Sequence, residues 1–76
     1  QYPYYPGTGA AYETGSGRGR GATLNCPMPA GATDTAYERA FFEEILPKLA
    51  WFKPECVIIS AGFDAHHLDP LANLNV

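Results

Sequence analysis

From Tyr37 onward the apolar positions fall on a four-residue beat. Tyr37, Phe41 and Ile45 recur at that interval with Ala36, Ala40 and Leu49 beside them, while Glu38, Arg39, Glu43 and Glu44 fall largely on the other face. That is the period of an amphipathic helix, and the Tyr37, Phe41, Ile45 stripe is expected to be core. Asp34 is a candidate N-cap, and Thr35 with Glu38 offers an alternative capping box one residue later. Pro47 lies inside the pattern, and its ring clashes with the carbonyl four residues back, so a kink or a fresh turn is expected there. The helix is expected to end near Phe52.

The pattern differs on either side of this helix. Residues 55 to 60, "ECVIIS", form a short unbroken apolar run between Pro54 and Ala61-Gly62. Such a run fits a strand buried on both faces, as in a parallel sheet covered by helices. Upstream, "ATLNCPMP" at residues 22 to 29 supplies only a short strand, because Pro27 removes a backbone donor, and "AGATD" turns the chain into the helix. Strand, helix and strand make one β-α-β unit with a right-handed crossover, which places the chain in the α/β class. Ligands of open parallel sheets collect beyond the carboxyl ends of the strands, and residues 62 to 69 fall there.

Residues 1 to 21 read as one long loop, since Pro3, Pro6 and the glycines at 7, 9, 15, 17, 19 and 21 weaken both helix and strand. A loop of that length is uncommon in a compact domain unless it is functional or disordered. Tyr2, Tyr4, Tyr5 and Tyr12 favour the functional reading, because disordered linkers are poor in aromatics. "YYPGTG" reads either as a polyproline-like surface segment or as an aromatic wall for a ligand. The run "GSGRGRG" precedes the strand rather than following one, so it does not fit a dinucleotide loop. A tight loop that needs positive φ angles fits it better.

Seventy-six residues set one domain as the ceiling, and so small a domain is marginal without metal or disulfide support. The chain opens on Gln1 rather than Met and stops at Val76 just after an apparent loop, so it is expected to be an internal piece of a longer protein. A formal charge of -3 gives no general affinity for nucleic acid or for an anionic membrane, and two arginines in the glycine run supply little phosphate binding. No stretch approaches the roughly 18 consecutive apolar residues that span a bilayer. Cys26 and Cys56 form no CxxC pattern, and two buried thiols of a cytoplasmic chain are expected rather than a disulfide.

The candidate chemistry sits in "IISAGFDAHHLDP", residues 58 to 70, where Asp64, His66, His67 and Asp69 are four potential metal ligands within six positions. Adjacent side chains of an extended chain point in opposite directions, so at most some of them converge. Read alone, Asp64 is either a metal carboxylate placed after a buried strand or the cap of an ordinary turn with solvated histidines beside it.

Taken in order, "YPGTG", "GSGRGRG", "LNCPMPAGATDTAY" and "LPKLAWFKPECVIISAGFDAHHLDPLANL" closely resemble the histone deacetylase family, above all its bacterial and class II-like members of the acetylpolyamine and acetoin-utilisation types. The resemblance implies the arginase/deacetylase α/β fold, a largely parallel sheet with helices on both faces. It implies hydrolysis of the amide of an acetylated lysine or an acetylated polyamine, with one catalytic zinc held by two aspartates and a histidine. Asp64 matches the second aspartate. The Asp-x-His pair and a histidine dyad are expected upstream of Gln1, and a transition-state tyrosine downstream of Val76, so no catalytic residue is assigned within the chain and the chain alone is expected to be inactive. Tyr5 and Leu71 match positions of the wall around the substrate, although a tyrosine departs from the phenylalanine common at position 5. Asp69 and Gly62 match motif positions expected to support the loop that aims Asp64, whereas His66 and His67 match no ligand position. A backbone carbonyl near Ala22 matches a position that helps to hold a structural potassium ion. The contrasting reading is a non-catalytic module that holds a peptide or RNA through the Tyr- and Gly-rich loop.

Overall fold

The computed structural model describes residues 1–76. Its main element is a continuous helical rod made of α1 (Asp34–Ala40), a π-helical turn (Phe41–Ile45) and α2 (Leu46–Phe52). The rod covers the amphipathic stretch and ends where the pattern ends. Pro47 does not break it. The turn before the proline is widened, with the Leu46 N–H reaching back five residues to the Phe41 carbonyl. A π turn of this kind makes room for the ring, and it leaves Pro47 in the first turn of α2, where a missing N–H costs least. At the other end Lys53 takes the left-handed conformation, φ 55° and ψ 59°, with its N–H on the Leu49 carbonyl. Pro54 follows and cannot continue the helix.

The start of the rod corrects the capping expectation. The N-cap is Thr33, in extended conformation, and neither it nor Asp34 makes a side-chain cap bond. Asp34 instead lies in the first turn, where its charge meets the positive end of the helix dipole. The backbone of Thr33 forms a parallel bridge with Asn75. Around that bridge the Gly31 N–H donates to the Asn73 carbonyl and the Asn75 N–H to the Ala32 carbonyl. Gly31 itself turns at φ 83°, as "AGATD" suggests.

The β-α-β unit is not formed within these residues. Segments 22–29 and 55–60 carry no regular secondary structure and neither belongs to a ladder, and Thr33 with Asn75 is the single bridge. A strand exists through hydrogen bonds to a neighbouring strand, and neither segment has such a neighbour here. Val57, Ile58 and Ile59 are accordingly 59%, 91% and 82% exposed, so both faces of the apolar run lie open. The core expectation fails for the same reason: Tyr37 and Ile45 are half-buried, Phe41 is exposed, and only Ala10, Ala32 and Leu74 are buried. The thiols are not buried either, with Cys26 half-buried, Cys56 exposed and both free.

The N-terminal segment is a loop, as expected, containing one 3-10 turn at Gly17–Gly19. Gly15 has φ 107°, and a Cβ there would run into the Gly19 carbonyl, so this position demands glycine. Thr14 closes the loop by accepting the N–H groups of Gly21 and Thr23 at 2.8 and 3.2 Å. No helix is long and apolar enough to cross a membrane.

Candidate metal and substrate site

Asp64 lies four residues past the apolar run, in a turn closed by the His66 N–H on the Phe63 carbonyl at 3.2 Å, and it is exposed. The glycine has a local cause: a Cβ at position 62 would stand 3.3 Å from Asp64 Oδ1, tighter than most such contacts. The Asp64 charge is also felt at Tyr37 on α1. Partial burial first, and then this negative charge, push the Tyr37 phenol above its ordinary pKa.

The other three candidate ligands are engaged elsewhere. Asp69 Oδ1 accepts the N–H groups of Leu71 and Ala72, both at 2.9 Å. These two bonds, that of Ala72 first, hold its carboxyl below the ordinary value. Asp69 Oδ1 thus ties the loop to itself. His66 Nδ1 accepts the Leu68 N–H at 3.1 Å, and the two histidine rings stack at 4.4 Å between centroids. No group of three or more His, Cys, Asp or Glu side chains comes together in the chain. As a metal donor set, these residues fit one carboxylate from Asp64 and nothing more.

Tyr5 and Leu71 are both exposed, at 91% and 78%. Tyr5 rides on a turn closed by the Gly7 N–H on the Tyr4 carbonyl at 2.7 Å. The neighbouring Tyr4 side chain crosses to the other loop, its Oη donating to the Leu71 carbonyl at 2.8 Å. Beside it, the Asn73 N–H donates to Gln1 Oε1 at 3.3 Å. A concavity of about 480 Å³ next to the motif is lined by Gly62, Phe63, Ala65, His66, Leu68 and Val76 among others, and it includes neither Asp64 nor Tyr5.

Three residues to which the sequence reading gave no individual role hold this arrangement: Tyr4, Glu13 and Asn25. Glu13 Oε2 accepts the N–H groups of Gly9 and Ala10, and Asn25 Nδ2 donates to the carbonyls of Ala10 and Glu13 at 3.0 and 3.1 Å. A lone carboxylate four residues after a glycine turn is a signal for such an anchor, since turn N–H groups need acceptors. Nothing along the chain announces the Tyr4 contact. At the π-helical turn of the rod, Cys26 Sγ lies 4.0 Å from Glu44 Oε2. Burial and then that carboxylate push its thiol up, which disfavours the nucleophilic thiolate. Ala22, expected near a cation, donates its N–H to the Gly19 carbonyl at 2.9 Å.

Residues 1–76 match a family model described as the histone deacetylase domain. The chain belongs to the histone deacetylase family. It is 53% identical over 70 residues to histone deacetylase 14, chloroplastic, of Arabidopsis thaliana, covering 92% of this chain and 16% of that protein. It is 46% identical over 74 residues to a probable deacetylase of Archaeoglobus fulgidus, covering 97% of this chain and 21% of that protein. The crystal structure of the HDA15 HD domain superposes with a TM-score of 0.91 at 47% identity, over 96% of this chain and 21% of that one. The chain spans about a fifth of the length of these relatives. The superposition supports the deacetylase-domain fold for this chain.

Proposed function

We propose that this chain supplies one zinc-ligating carboxylate, Asp64, and part of the substrate entrance, Tyr5 and Leu71, to a deacetylase that hydrolyses the amide of an acetylated lysine or acetylated amine. The observation that carries the reading is the state of the motif loop. In a chain of the deacetylase family, Asp64 is exposed four residues past the apolar run, while Asp69 is occupied by the loop's own N–H groups. A zinc ion bound by Asp64 together with ligands from outside these residues supplies a Lewis acid and an activated water. The part of this chain is to hold and aim the Asp64 carboxylate through Gly62 and Asp69, and to offer Tyr5 and Leu71 to the apolar stem of the substrate. The Ala22 carbonyl belongs to the same proposal as one ligand of a structural potassium ion.

In the complete gene product, Asp64→Ala abolishes bound zinc and turnover of an acetyl-lysine reporter. Full zinc content and activity in that variant sink the assignment. Protein and small-amine substrates separate on kcat/KM for an acetylated peptide against acetylputrescine. The tyrosine at position 5, larger and more polar than phenylalanine, makes the comparison worth running with Tyr5→Phe.

A further inference from the structure

Tyr4 is joined to both loops that carry the entrance residues. Its carbonyl closes the turn on which Tyr5 rides, through the Gly7 N–H at 2.7 Å. Its hydroxyl crosses 67 positions of sequence to donate to the Leu71 carbonyl at 2.8 Å. Leu71 is consequently held at both of its peptide groups, its N–H by Asp69 Oδ1 at 2.9 Å and its carbonyl by Tyr4. The Asn73 N–H on Gln1 Oε1 continues the same contact one step further along the two segments. The backbones on both sides are thus fixed, while the side chains of Tyr5 and Leu71 stay 91% and 78% exposed and free to meet a ligand.

We propose that Tyr4 is a positioning residue that ties the Tyr5 turn to the Leu71 loop and so sets the width of the substrate entrance. The role in substrate entry rests on the deacetylase reading above; the tie itself does not. Two walls on separate loops hold a constant gap only if something spans them, and a phenol on a backbone carbonyl does so without occupying the gap. Substrate meets these walls on binding and keeps them through the reaction, so loosening them weakens binding more than it slows the chemistry.

The test is Tyr4→Phe in the complete gene product, a change that keeps the ring and removes only the donor. With an acetyl-lysine peptide, KM rises about threefold to tenfold, the range set by the net worth of one neutral hydrogen bond, and kcat stays within about twofold. Amide hydrogen exchange at residues 71 to 73 quickens in the same variant. Unchanged exchange overturns the tie. Quickened exchange with an unchanged KM, or a fall confined to kcat, overturns the entrance role. A wild-type protein that turns over no acetylated amine removes the deacetylase reading instead, and the exchange measurement then decides the tie alone.

Discussion

Asp64 carries its carboxylate back over Gly62, so that a Cβ at position 62 would stand 3.3 Å from Asp64 Oδ1. The missing side chain is what leaves the acid room, since Gly62 has no positive φ to explain it otherwise. Gly62→Ala is therefore expected to move the Asp64 carboxylate by a few tenths of an ångström without unfolding the loop. In the complete gene product this lowers zinc affinity about tenfold, a loss typical of disturbed support around a ligand. Metal titration against a chromophoric chelator checks it, and wild-type affinity in the variant would refute the steric role of this glycine.

Asp69 gives a pH signature. The N–H groups of Ala72 and Leu71 favour its ionised form, so its folded pKa lies below the unfolded one. The resulting loop stabilisation is fully present above the ordinary carboxyl range and is lost as pH falls below about 4, through the lowered folded value. The Leu71 and Ala72 amide proton shifts should titrate together with a midpoint below the ordinary aspartate value. They should lose that titration in Asp69→Asn. A midpoint above the ordinary value contradicts the arrangement.

Glu13 anchors the opposite loop through Gly9 and Ala10, and Ala10 is one of the few buried residues. Removing a carboxylate from two backbone donors leaves them to find water or remain unpaired. For Glu13→Ala in the complete gene product, a loss of about 1.5–3 kcal/mol is expected, the range for hydrogen bonds to a charged group. Glu13→Gln, which still offers an acceptor oxygen, should lose less. Urea denaturation measures both, and equal losses would show that acceptor geometry is irrelevant.

The isolated 76 residues should not unfold cooperatively. Val57, Ile58, Ile59, Phe63 and Trp51 are each more than half exposed, and apolar area left in water contributes nothing to stability. A urea titration followed by far-UV circular dichroism should give a shallow, featureless slope, and the purified chain should hydrolyse no acetylated amide. A steep two-state transition would favour an independent peptide- or RNA-binding module instead.

Much of the local structure was legible along the chain. The helical period gave the rod to Phe52, and glycine placement gave the tight turns at Gly15 and Gly31. These features depend on contacts within a few residues, where spacing and side-chain type decide. The π turn was less legible, because Pro47 announces a disturbance without saying whether the rod will kink, stop or widen. The Thr33 cap was missed because its backbone answers to Asn75, forty-two positions away.

The sequence by itself determined the family, the helix and the glycine-dependent turns, because each is written in local spacing or in an ordered set of motifs. Tertiary structure alone decided that the two apolar segments do not pair with one another, that Thr33 bridges to Asn75, and that Tyr4 reaches Leu71. Each of these depends on which groups meet across long separations. A hydrogen bond between residues 67 positions apart leaves no period in the sequence, since either partner would look the same without the other.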